Sequence, residues 1–276
     1  SRGEETASTR AGAFLRRQLL KHAWEKDHFI CGINDWGERL GSWRNTEGRL
    51  YLNMQAWAVL ADVAPDGHAL MDLVERELSC PYGYVQVKPS YRSIDDHIGR
   101  MTYMGRGSYE NGSVYNHGVA FKIAADCRLG RGRLAYETVK KMMGTNPANP
   151  SVRSGAEPYA TTNMYLGPEN TWRAGQSMVS WFTGTAGWLF RCIVECMVGV
   201  KADYDGLRIQ PCLPPHWTDL RIRRNYRGAA YNIRIRNPRR LETGRVTVTV
   251  DGAPLPSNLA PVFKDGRDHK VDVELL

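Results

Sequence analysis

Near Lys201 the spacing of apolar residues changes from a helical repeat to strict alternation, and this single change limits the folds open to the chain. Before it, Glu4 to Ala23 is amphipathic, with Phe14, Leu15, Leu19 and Leu20 on or near one face. Asn53 to Ala64 and His68 to Leu78 form a second pair of helical segments. Val114 to Leu129 is apolar on most sides, Arg131 to Met143 is more polar, and Trp188 to Val200 is apolar nearly all round. Helices wet on one face thus alternate with helices buried on every side, as a toroid of inner and outer helices requires. After Lys201, Leu207-Arg208-Ile209, Leu220-Arg221-Ile222, Ala230 to Ile235, Arg245 to Val250 and Val271 to Leu275 alternate with period two between Pro and Gly breaks. The expected fold is mainly α with a C-terminal β module, a small β-sandwich layer, divided into residues 1–200 and 201–276.

Composition removes several function classes. No run of 18 apolar residues exists, and the polar segment Ser1 to Arg10 lacks the apolar stretch of a signal peptide. The six cysteines lie far apart, mostly among apolar neighbours, without a CxxC pair. Free thiols in a reducing cytoplasm are expected, and no metal site. The net charge of +8 is spread along the chain. Its densest run, Arg221, Arg223, Arg224 and Arg227, alternates with Leu220, Ile222, Asn225 and Tyr226 as a strand with one wet face would. No nucleic-acid motif accompanies it.

One segment carries chemistry. Ser180-Trp181-Phe182-Thr183-Gly184-Thr185-Ala186-Gly187-Trp188 places small hydroxyl residues at a helix start, between tryptophans. Unpaired N–H groups there, a glycine that admits close approach and a threonine hydroxyl can hold an anion. The same residues also suit a plain helix cap. Trp181 and Trp188 read as core residues rather than sugar platforms, since one flanks and one enters a buried helix.

Seven ordered blocks carry a resemblance. They are Ala23-Trp24 with Leu40-Gly41-Ser42; Leu52 to Leu60; Ile98-Gly99-Arg100; Glu110 to His117; Glu157-Pro158-Tyr159; Ser180 to Ala186; and Asp203 to Pro211. In this order the chain resembles the cellobiose and chitobiose phosphorylases, including cellobionic acid phosphorylase, and the phosphorylase-like end of cyclic β-1,2-glucan synthases. The resemblance implies the second part of an (α/α)6 barrel followed by the β module. It also implies inverting phosphorolysis of a β-linked disaccharide, cellobiose-like or cellobionic-acid-like, to a sugar 1-phosphate, with inorganic phosphate as co-substrate and no cofactor. One carboxylic acid suffices, because phosphate needs no base to activate it as water does. A homodimer is open to the full-length protein; nucleic acid and membrane partners are not implied.

Carried over residue by residue, Thr183 and Gly184 match the phosphate-binding pair and His117 the phosphate-contacting histidine. Without the resemblance, His117 is a core histidine in an apolar helix. Glu110 matches a sugar-contacting carboxylate, and equally suits a helix cap. Arg100, Glu157 and Gln176 are further substrate-binding candidates. The basic loop Val87 to Arg92 would favour an acidic aglycone such as an aldonic acid.

The family's general acid lies in an Asp-Trp-Asn-Asp block, and this chain has Asn34-Asp35-Trp36-Gly37-Glu38. Either Asp35 is a divergent acid, or this is the later loop between the Ala-Trp and Leu-Gly-Ser blocks. The flanking blocks favour the second reading, which makes the chain a C-terminal portion without its acid. A glycoside hydrolase on the same barrel and a non-catalytic carbohydrate-binding fragment are the alternatives. A partial toroid leaves apolar flanks uncovered, so the isolated chain is expected to self-associate. Sedimentation as a clean monomer with cooperative melting would contradict this.

Overall fold

A computed structural model describes residues 2–276, with side chains from Thr9 onward, so the first eight side chains of the polar N-terminal segment lie outside the described residues. The backbone changes character where the apolar period does. Among the described residues seven α-helices start before Lys201 and only strands and loops follow Val200. The helices are α1 (Arg2–His22), α2 (Leu52–Leu60), α3 (Gly67–Leu78), α4 (Asn116–Arg128), α5 (Gly132–Met142), α6 (Ser151–Ser154) and α7 (Thr185–Arg191). Contacts divide the chain into two compact units, residues 1–125 with 141–185 and residues 126–140 with 186–276.

In the first unit α2 packs on α3, and Leu52, Ala56, Leu70, Met71, Val74 and Leu78 are fully buried or nearly so. Asp66 starts α3 by accepting the amide of Ala69 at 3.0 Å, the use of an N-cap carboxylate expected from its place. Gln55 is completely buried because its amide group exchanges two 2.9 Å hydrogen bonds with the backbone of Phe29. That pairing pins the hairpin of Trp24–Glu25 and His28–Phe29 onto α2. Amphipathic α1 forms as its spacing predicts, but Phe14, Leu15 and Leu19 remain 42–58% exposed. Its apolar face therefore contributes little burial within this chain.

A small antiparallel sheet positions everything that follows. Its strands are β1 (Val114–Tyr115), β2 (Thr162–Tyr165) and β3 (Ser177–Ser180), with β2 central. The register pairs Met164 with both Tyr115 and Met178, and Thr162 with Ser180. β1 runs directly into α4, which is buried along most of its length as the sequence predicts.

Buried within α4, Lys122 donates to Glu75 of α3 and, at 3.1 Å, to the Tyr84 hydroxyl. Tyr84 in turn donates to Glu75 at 2.7 Å. Burial alone raises the Glu75 carboxyl, but the Lys122 ammonium, both hydrogen bonds and Lys141 outweigh it and hold the carboxyl below its ordinary value. A buried ion pair adds little over an apolar pair, yet leaving one member alone is costly.

In the second unit two sheets share one core. The strands are β4 (Val200–Asp203), β5 (Gly206–Ile209), β6 (Asp219–Tyr226), β7 (Ala229–Arg236), β8 (Val246–Val250), β9 (Ala253–Pro254), β10 (Leu259–Pro261) and β11 (Asp268–Leu275). They form a three-stranded sheet β4-β5-β10 and a five-stranded sheet β6-β7-β11-β8-β9, in which only β7 and β11 are parallel. Val200, Leu207 and Ile209 of one and Tyr231, Ile235, Val273 and Leu275 of the other belong to a single buried cluster. Within the arginine run, Arg221 and Arg223 lie on the wet face, where Arg223 meets Asp268 at 3.2 Å, whereas Arg224 lies half-buried on the opposite face and pairs with Glu195 at 3.5 Å. One helix departs from expectation. Trp188 to Val200 is not a single buried helix: α7 ends at Arg191, a π-turn spans Cys192–Met197, and Phe190 is 69% exposed. The Val198 amide bonding the Ile193 carbonyl marks the wider turn.

Lys122→Met strands a mostly buried carboxylate and is expected to cost about 3 kcal/mol, whereas Glu75→Gln with Lys122→Met should cost less than the two changes summed. Urea unfolding midpoints measure both. Because the Glu75 carboxyl is lower in the folded state than in the unfolded chain, its contribution is complete above the ordinary carboxylate range and is lost as pH falls through the folded value.

Candidate functional site

Each strand of the β1-β2-β3 sheet delivers one part of a polar cluster. β1 leads into Asn116 and His117 at the start of α4, β2 carries Asn163, and β3 leads into Trp181 to Thr185. Asn116 donates to the Thr162 carbonyl at 3.0 Å, tying the start of α4 to the central strand. The Thr183 hydroxyl donates to Asn163 Oδ1 at 2.8 Å. The Thr183 hydroxyl oxygen also accepts the Thr185 amide at 3.0 Å and lies 2.7 Å from the Thr185 hydroxyl. Thr183 thus fills the capping role that the sequence allowed, and its hydroxyl also faces a polar side chain from another strand.

Gly184 lies flat against the imidazole of His117, and a Cβ added there would stand 3.2 Å from its Cε1. A larger residue there requires the ring to give by a few tenths of an ångström. The ring also rests on Phe121, 5.0 Å away between centroids. Burial lowers the His117 pKa below the ordinary histidine value. Its imidazole is therefore neutral at pH 7, with one N–H to donate.

The approach to Thr183 is strained. Val179 and Trp181 adopt φ of +57° and +70°, a region that costs a β-branched residue most. Glu157 holds this segment by accepting from Ser180 Oγ at 2.9 Å and Trp181 Nε1 at 3.2 Å. Its own backbone amide and the Ser180 hydroxyl keep the carboxyl below its ordinary value. Trp181 and Phe182 are 73% and 82% exposed, so the expectation that Trp181 belongs to the core does not hold.

The structure brings together His117, Thr183, Gly184 and Glu157. The side chains of Asp35, Arg100, Glu110 and Gln176 are exposed and make no hydrogen bond or ion pair among the described residues. Asp35 lies at the tip of a hairpin joining Gly32–Ile33 to Arg39–Leu40. There Asn34 Oδ1 accepts the amides of Trp36 and Glu38, and Trp36 stacks on His97 at 4.0 Å. In the Glu-Asn-Gly block it is Asn111 that is fixed: it donates to the Tyr91 and Met104 carbonyls and accepts the Tyr91 amide at 2.7 Å. Gly112 closes that loop at φ +88°, where a Cβ would fall 2.0 Å from Ser90 Oγ. In the basic loop, Lys88 bonds the Glu77 carbonyl at 2.8 Å and Arg92 pairs with Glu47 at 3.3 Å. Asn163 is the residue that sequence reasoning missed. Its partner is set by strand register, and no local motif announces it.

The comparisons agree with this architecture. The model of the glycosyl hydrolase 94 superfamily catalytic domain matches residues 1–199, and that of the glycosyl hydrolase family 65 C-terminal domain matches residues 200–256. The chain is 42% identical to solabiose phosphorylase of Paenibacillus borealis over 95% of its length, covering 34% of that protein. It is 30% identical to N,N'-diacetylchitobiose phosphorylase of Vibrio proteolyticus over 97% of the chain and 34% of the relative. With cellobionic acid phosphorylase of Neurospora crassa it shares 31% identity over 92% of the chain and 32% of the relative. The chain thus spans about a third of the length of these curated relatives. With most of its residues matched by the catalytic-domain model, the chain belongs to the glycosyl hydrolase 94 superfamily.

Proposed function

We propose that this chain supplies the phosphate side of an inverting disaccharide phosphorylase that converts a β-glucosidic disaccharide to a sugar 1-phosphate. The observation that carries the reading is the packing of Gly184 on the neutral imidazole of His117, with the Thr183 hydroxyl beside them. In this reading a phosphate oxygen receives the His117 N–H and the Gly184 amide. The Thr183 hydroxyl turns from Asn163 to the anion, exchanging a neutral hydrogen bond for a charge-assisted one. Phosphate then attacks the anomeric carbon, a C–O bond to phosphate forms, and the glycosidic C–O bond breaks on the opposite face. The departing oxygen takes its proton from a carboxylic acid. We assign that acid elsewhere than Asp35, because the Ala23-Trp24 and Leu40-Gly41-Ser42 blocks that flank its hairpin are those of the family's later loop. Inorganic phosphate is the co-substrate, and no step calls for a metal or organic cofactor.

Glu157 acts here by holding the strained segment that carries Thr183. Glu110, Arg100 and Gln176 are proposed as sugar-side contacts, an assignment supported by the family's motif order. The helical part is proposed as part of an (α/α)6 barrel, with the β module beginning after residue 200. Six free cysteines fit a reducing, cytoplasmic setting.

Phosphate dependence tests the reaction class in the protein that carries this chain. Sugar 1-phosphate should form only with phosphate present, and free sugar released without phosphate would establish a hydrolase instead. Gly184→Ala should raise KM for phosphate about tenfold, the worth of one charged hydrogen bond, with KM for the disaccharide nearly unchanged. The reverse pattern would contradict the assignment.

A further inference from the structure

A second polar cleft lies in the first unit, outside the His117–Thr183 cluster. It has a volume of about 370 Å³ and is lined by Lys26, His28, Trp43, Arg49, Arg76 and Lys88, with Asp27 and Glu77 among the remaining residues. Four cations thus face two carboxylates. Those carboxylates are already engaged: Arg76 pairs with Glu77 at 3.0 Å, and Asp27 Oδ1 lies 2.9 Å from His28 Nδ1. Lys88 donates to the Glu77 carbonyl, and Arg49 Nε to the Asn45 carbonyl at 3.2 Å. Among the described residues, no carboxylate pairs with Lys26 or Arg49, so both bring positive charge to the cleft.

Two further features point to a ligand. Lys26 occupies the first position of a two-residue hairpin turn at φ +58°, where glycine or asparagine is the low-energy choice. Its ammonium stands 5.9 Å from the ring centre of Trp43, which is 46% exposed. The Arg44 guanidinium stands 5.3 Å from the same ring centre, and a half-exposed indole beside these cations suits a ligand with an apolar ring face and an anionic substituent. The volume lies at the lower end of small-molecule sites, enough for one monosaccharide and a phosphate.

We propose that this cleft binds a phosphorylated monosaccharide, its phosphate held by Lys26 and Arg49 and its ring resting on Trp43. The site does not depend on the phosphorylase reading, since it shares no residue with the phosphate cradle. Calorimetric titration of α-D-glucose 1-phosphate, inorganic phosphate and glucose into the protein carrying this chain tests it. Lys26→Gly relieves the turn and so preserves the fold, yet should weaken glucose 1-phosphate binding at one site about tenfold, the loss of one charge-assisted contact. Trp43→Ala should weaken glucose 1-phosphate but leave inorganic phosphate unchanged. Thr183→Val should leave this site untouched. Wild-type affinity and stoichiometry in Lys26→Gly would overturn the proposal, as would binding altered by Thr183→Val alone. If inorganic phosphate binds as tightly as the ester and Trp43→Ala changes neither, the sugar assignment falls. Loss in Lys26→Gly with no effect of Thr183→Val supports the cleft and contradicts the phosphate cradle.

Discussion

The site depends on the central strand of a three-stranded sheet. Thr162 is only 1% exposed, and its hydroxyl lies 2.6 Å from Ser177 Oγ and 3.1 Å from the Met178 carbonyl of the neighbouring strand. Its carbonyl accepts the amide of Asn116 from the other side. One residue thus ties the strand leading to Thr183 and the helix bearing His117 to the same backbone. The next residue, Asn163, meets the Thr183 hydroxyl. Without that register, two segments more than sixty positions apart in the chain would have no reason to meet within hydrogen-bonding reach.

Electrostatics and strain follow from this placement. The His117 imidazole is kept neutral by burial, so it presents a donor without demanding a counter-charge. Glu157 supplies the nearby carboxylate, and its Oε1 accepts from both Ser180 and Trp181. Those contacts hold two positive-φ residues, Val179 and Trp181, in conformations that the segment would leave if released. The arrangement is hydrogen-bonded around Thr183 and open where Trp181 and Phe182 face solvent.

The sequence made the change of architecture legible because hydrophobic period is local: the strands after Val200 and the buried helix at Val114 to Leu129 follow directly from it. Thr183, Gly184 and His117 were legible only through the order of family blocks, since each alone suits a cap or a core. Asn163 was not legible, because its contact with Thr183, 20 positions on, comes from strand register rather than from a local motif. Composition misled at one helix. Apolar content made Trp188 to Val200 look like one inner helix, whereas a π-turn intervenes and Phe190 points to solvent. In α1 the apolar spacing predicted the helix but not its burial, which needs a partner surface as well as a stripe.

The central claim is that His117 and Thr183 form one anion-binding unit. Proton NMR of the His117 Cε1–H during phosphate titration reads it most directly. The account predicts a saturable shift in the wild-type protein, absent in Thr183→Val while the free-state resonance stays in place. A His117 resonance indifferent to phosphate, or a shift that survives Thr183→Val unchanged, would contradict it.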